Sequence, residues 1–179
     1  MQTVPRNGVL TLLLGLCAAC QAGSHDLSDA QRGAVADTAR MIVQDVFNKS
    51  NRLDFMAALT SYSPDADARY IENGVLIPSF DALKKEYAEL GPTLDSLANT
   101  VDSLNVLVLA TDAAAVTAPV HFRIKAKGRP AYTGQYVWSG IVQRRRGAWK
   151  IVQSHESWVN AQDVMAALAP PSTKAPRSN

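Results

Sequence analysis

Cysteine is nearly missing from this chain. Its 179 residues contain two, Cys17 and Cys20, and none follows. Everything after Cys20 therefore folds without an internal disulfide and has to draw its stability from a packed core. Histidine is almost as scarce: His25, His121 and His155 show no zinc-ligand spacing, and His-Glu-x-x-His does not occur, so neither a metal nor a cofactor is expected. A Gly-x-Ser-x-Gly elbow and a phosphate-binding glycine loop are also absent, which argues against a serine hydrolase and a nucleotide enzyme. Neither sign of charge dominates, with 18 basic against 16 acidic residues. Loss of a leader carrying Arg6 removes one basic residue and leaves the chain close to neutral, so no broad field recruits nucleic acid.

No long apolar run is present either. The run from Val9 to Leu16 falls well short of the roughly 20 residues a membrane anchor needs. Preceded by Arg6 and followed by small residues, it reads as a secretory signal over residues 1–19. Leu16-Cys17-Ala18-Ala19-Cys20 resembles a bacterial lipobox, which implies acylation of Cys20. Cys17 stands where that pattern usually has leucine, and an ordinary signal cleaved nearby is the alternative. Gln21 after the cysteine resembles the pattern sorted to the outer membrane. The expected address is therefore the periplasmic side of a bacterial envelope, with the lipid as the membrane contact, or else secretion. Residues 20–27 read as a linker, 28–160 as one domain, and 161–179 as a short helix with a proline-rich, disordered tail. The roughly 140 residues between the ends suffice for one core.

Within the domain, the hydrophobic period changes once. Ser28 with Gln31 forms a capping box, and Val35, Ala39, Ile42, Val43, Val46 and Phe47 follow at helical spacing. A short helix is expected over 54–61, ended by Ser63-Pro64-Asp65, then a hairpin of 68–71 and 75–77 about Asn73-Gly74. Ser79 caps a third helix with Phe80, Leu83, Tyr87 and Leu90 inward, closed by Gly91-Pro92. From there alternation predicts four sequential antiparallel strands, 103–110, 114–126, 132–144 and 148–158. Helices first and strands last imply an α+β arrangement, a curved antiparallel sheet packed against three helices.

The last hairpin, Gly140 to Ser157, carries the most specific signal. Gly147, Trp149, Lys150, Ile151, Val152, His155 and Ser157 resemble the Gly-x-Trp-Lys-Ile-Val-x-x-His-x-Ser close of domains in the nuclear transport factor 2-like superfamily, particularly its SnoaL-like and kinase-association-domain branches. That resemblance implies a cone, in which the sheet bends around the helices and leaves an apolar cavity, with an outer sheet face that often mediates dimers. It also brings in ketosteroid isomerases and polyketide cyclases. The aspartate and tyrosine roles of those enzymes find no counterpart here: the first helix has no tyrosine, and no aspartate occurs between Asp112 and Asp163. Asp65, Asp67 and Glu72 remain substitutes for the base.

The expected pocket comprises Tyr70, Tyr87, Tyr136, Trp138, His155 and Ser157. Tyr132, Tyr136 and Trp138 share one strand face, with Tyr70 and Tyr87 roofing it; such a stripe serves as core, as cavity wall, or as both. Strict alternation gives His155 the face of Trp149 and Ile151 and turns Glu156 away from it. His155 is then either a weak catalytic candidate or a histidine that orders the sheet. His121 falls on the polar side of its strand, at the surface or a dimer interface. Arg144-Arg145-Arg146 reads as a solvated turn, with anionic headgroups as the alternative contact. Together these features predict a domain that binds a small, largely apolar molecule without chemistry and forms a homodimer through its sheet. The alternatives are lyase or isomerase chemistry, with His155 as base and a tyrosine as donor, and a protein-interaction module.

Overall fold

The computed structural model describes residues 27–169. The leader, Cys20, His25 and the proline-rich tail lie outside them. Ser28 and Gln31 form the reciprocal capping box that opens α1 (Asp29–Asn51), whose buried stripe is Val35, Ala39, Val43, Val46 and Phe47. Asp54 caps the short α2 (Phe55–Leu59) through the Ala57 amide. The hairpin β1 (Arg69–Glu72) and β2 (Val75–Ile77) turns on Asn73 and Gly74, both at positive φ, 49° and 82°. Then come α3 (Phe80–Leu90), capped by Ser79, and a single 3-10 turn over Gly91–Thr93. The rest is β3 (Leu94–Val101), β4 (Asn105–Ala110), β5 (Ala113–Ala126), β6 (Tyr132–Arg145), β7 (Ala148–Trp158) and α4 (Ala161–Leu168).

The seven strands make one curved sheet in the order β2-β1-β7-β6-β5-β3, with β4 also paired to β5. The expected α+β class and the helix-packed curved sheet are present. Two details differ from the simple meander. Sequence alternation does not announce β3, because Asp95, Ala98 and Asn99 give it weak strand propensity. It is an edge strand with one face on the core, through Leu97, Asn99 and Val101 opposite Ile124, Phe122 and Val120. β3 and β4 run in line along the same edge of β5, interrupted at 102–104, where Asp102 N–H donates to the Pro119 carbonyl at 3.0 Å. Pro119, which has no N–H to offer, sits at that break. The second difference is that β1 pairs parallel to β7, with Tyr70 opposite Ser154 and Glu72 opposite Glu156. The hairpin is thus an extension of the sheet, and it sets a carboxyl of β1 beside one of β7.

A hydrogen-bonded bridge fastens α1 to the edge strand. Asn51 Nδ2 donates to the Asn99 carbonyl at 3.0 Å, and the Asn99 amide donates back to Asn51 Oδ1 at 2.6 Å. One side chain thereby mimics a strand neighbour. Asn51→Ala should cost about 1–3 kcal/mol by stranding two half-buried backbone groups. Urea unfolding checks this, and a smaller loss would mean water replaces the bridge.

The basic turn is not free. Arg146 and Gly147 take positive φ, 49° and 85°, while Arg145 pairs with Asp67 at 3.1 Å and Arg146 with Asp65. Arg144 stacks over Trp149. These ion pairs hold the β6–β7 turn against the 63–68 segment. Among the described residues, no helix is long and apolar enough to cross a membrane.

Candidate functional site

One residue in β7 decides what faces the interior. Ile141 pairs with Gln153 but Val142 pairs with Ile151, so Val152 is an extra residue, a β-bulge. Alternation restarts on the opposite phase beyond it. Ile151 stays in the core, fully buried, but it is Ser154, Glu156 and Trp158 that continue the inward face. His155 and Ser157 are turned to the outer face, opposite Ser139 and Val137. The bulge therefore overturns the reading that put His155 and Ser157 on the cavity wall, and it supplies Glu156 in their place.

The cavity lies between α1, α2, α3 and the concave sheet. Phe47, Phe55, Phe122, Tyr136, Trp138 and Trp158 form its aromatic wall, and Leu168 of α4 reaches it. It offers about 90 Å³ to the centres of water-sized groups, several times the roughly 10–15 Å³ one water needs. Phe122 anchors the far wall, its ring centroid 5.7 Å from those of both Tyr136 and Trp158. Trp138 meets Phe47 edge to face at 6.3 Å. Arg129 donates to the Ala166 carbonyl of α4 at 2.7 Å.

Of the tyrosines expected in the pocket, Tyr87 and Tyr136 line it, as does Trp138. Tyr62, which sequence patterning did not single out because it follows a short helix with no period of its own, lines it too. Tyr70 does not. Its ring is packed between Tyr62 and Phe80, and its hydroxyl donates to the Ser63 carbonyl, with Ile151 O also in reach at 3.3 Å. Tyr70→Phe should lower stability by about 1–2 kcal/mol and leave probe binding in the cavity unchanged, as thermal unfolding and fluorescence titration would register.

A polar seam crosses the apolar wall. Tyr136 OH donates to Asn99 Oδ1 at 3.1 Å, Tyr87 OH to Glu72 Oε1 at 3.1 Å, and the Trp158 indole N–H to Glu156 Oε2 at 3.2 Å. Glu156 lines the cavity; Glu72 stands directly beside it in the parallel register. Desolvation first, and the neighbouring Glu72 second, push the Glu156 carboxyl up to about 8, against the indole hydrogen bond. Burial likewise raises Glu72, opposed by the Tyr87 hydroxyl and assisted by Glu86. Burial and the facing Glu72 carboxyl both disfavour charge on Glu156, so its carboxyl retains its proton at neutral pH. Burial also keeps the hydroxyls of Tyr62, Tyr87 and Tyr136 protonated, and those of Tyr87 and Tyr136 donate to Glu72 and Asn99.

His121 belongs to the outer surface, where Nδ1 lies 3.0 Å from Asp102 Oδ1 and Nε2 lies 2.9 Å from Gln135 Nε2. Among the described residues, no cluster of His, Cys, Asp and Glu could hold a metal ion.

A curved, unclosed sheet packed against N-terminal helices is the architecture of the nuclear transport factor 2-like folds. The chain belongs to the SnoaL-like domain family, whose model matches residues 39–161. It is similar in structure to a provisionally assigned scytalone dehydratase from Novosphingobium aromaticivorans, at 13% identity over 74% of this chain and 89% of that one, TM-score 0.67. It is also similar to a hexachlorocyclohexane dehydrochlorinase from Novosphingobium barchaimii (14% identity, 74% and 91% covered, TM-score 0.63). A nuclear transport factor 2-like protein from Salmonella enterica matches at 13% identity, with 83% and 99% covered and TM-score 0.64. At such identities the likeness establishes the fold alone. No curated protein matches the chain by sequence.

Proposed function

We propose that this domain takes a small, largely apolar molecule into its cone cavity and moves a proton on it through Glu156, as a lyase or isomerase does. The observation that carries the reading is a carboxyl on an aromatic wall, pushed up to about 8 by burial and by Glu72. Such tuning lets one group serve as base when ionised and as acid when protonated. In its ionised form Glu156 accepts a carbon-bound proton. The Tyr62 hydroxyl, kept protonated by burial, donates to the oxygen that gains the charge, and Glu156 returns the proton to a neighbouring carbon. The fold relatives described as a dehydratase and a dehydrochlorinase support this reading as analogy only.

The probe reaction is exchange of the acidic carbon hydrogens of beta-tetralone in deuterium oxide, followed by NMR. Exchange above the buffer rate is expected, with Glu156→Gln slowing it about a hundredfold or more while thermal unfolding shows the variant folded. Equal exchange by both proteins would remove Glu156 from the role. Binding without chemistry is the second reading, favoured by the absence of His, Lys and Arg from the residues that line the cavity. Saturable binding of beta-tetralone with no exchange would select it.

The signal-like leader supports placement of the domain on the periplasmic side of a bacterial envelope through a lipid on Cys20. Intact mass of membrane-extracted protein tests this. Exposed Leu107 and Val137, on β4 and β6, support a homodimer through the outer sheet face, which light scattering at rising concentration tests.

A further inference from the structure

We propose that the molecule this cavity prefers is an organic amine, bound as its ammonium ion with an aromatic or alicyclic body. The inference rests on the reading of the cavity as a site for small apolar molecules and specifies the charge of the ligand. Three observations converge on it. The first is the wall: Phe47, Phe55, Phe122, Tyr136, Trp138 and Trp158 surround the space with aromatic rings, whose faces attract a cation. The second is the missing countercharge. Among the described residues, neither Glu72 nor Glu156 forms an ion pair, although Asp65, Asp67 and Asp95 all do. The third is the lining itself, which contains no cationic side chain, so an anionic ligand would meet a carboxyl with nothing to offset it.

An ammonium seated against Glu156 supplies what the fold leaves out. It takes the place of the proton that Glu156 otherwise holds, and that proton leaves to solvent. The groups facing the pair are the Tyr87 hydroxyl from α3, the Trp158 indole N–H from β7, Tyr62 from the segment after α2, Tyr136 from β6, and Glu86 of α3 acting on Glu72. The hydroxyls and the indole are neutral donors and Glu86 is an acid, so none of them supplies the positive charge that the ammonium brings. Binding of an amine is therefore linked to proton release and strengthens as pH rises toward about 8.

Calorimetric titration of the full chain with phenethylamine, phenethyl alcohol and hydrocinnamate tests this with one body and three charges. Near neutral pH the amine should bind at least about tenfold more tightly than the alcohol, and the acid not measurably. Titrations in buffers of different ionisation enthalpy should show net release of protons with the amine and none with the alcohol. In Glu156→Gln the advantage of the amine over the alcohol and its proton release should both disappear, while thermal unfolding shows the variant folded. Equal affinity for amine and alcohol, or amine binding without proton release, would overturn the inference and leave the cavity reading standing. Failure of all three to bind would remove the cavity reading, and the amine with it.

Discussion

Replacing Glu156 by glutamine is expected to flatten the dependence of stability on pH and to make the domain more stable than the parent in mild alkali. The sign follows from the shift. The folded carboxyl titrates near 8, well above the roughly 4.3 of an unfolded glutamate. Between those values the folded state binds more protons than the unfolded one, so stability falls as pH rises. The contribution is whole below the unfolded value and is lost as pH climbs through about 8. Glutamine keeps the shape and an acceptor for the Trp158 indole without the charge. After allowance for solvent in the cavity and for coupling to Glu72, the variant should gain on the order of 2 kcal/mol at mildly alkaline pH and nothing in acid. Thermal unfolding of both proteins from about pH 5 to pH 9 measures it. Parallel profiles would show that Glu156 ionises freely and that no proton is stored in the cavity.

The second large effect concerns Gly140. A Cβ there would stand 2.6 Å from the Gln153 carbonyl oxygen and 2.6 Å from the Trp138 ring. Trp138 lies across its own strand over the glycine, and the facing carbonyl belongs to the residue just after the bulge. Gly140→Ala therefore either pushes the indole into the cavity or parts β6 from β7. Overpacking of this kind costs about 1–3 kcal/mol, and more when backbone is the obstacle. Because the indole is a cavity wall, binding of an apolar fluorescent probe should weaken along with stability. Gly147→Ala, whose added Cβ meets nothing within 4 Å, pays only for the positive φ and should leave probe binding unchanged. A Gly140 variant as stable as the parent would mean that the wall is loosely packed.

Several parts of this domain were legible in the linear pattern because each rests on near neighbours. The capping box at Ser28 and Gln31, the Asn73-Gly74 turn, and the face of β5 that buries Val116, Val120 and Phe122 all follow from local spacing. The site was legible only in part. Tyr87, Tyr136 and Trp138 line the cavity as their helix and strand faces imply. Tyr70 has a suitable face too, but the Ser63 carbonyl lies within reach of its hydroxyl, and no period in the sequence announces that.

By itself the sequence determined the α+β order, the caps and turns, and the SnoaL-like close at Gly147 to Ser157, since each is set by residues within a few positions of one another. Only the tertiary structure decided which residue of the His155-Glu156 pair looks inward. One extra residue at Val152 reverses every later side chain, and a bulge is chosen by the partner strand. The same holds for the raised Glu156 carboxyl: Glu72 and Glu156 are far apart in the chain, and a parallel pairing of β1 with β7 is what sets one beside the other.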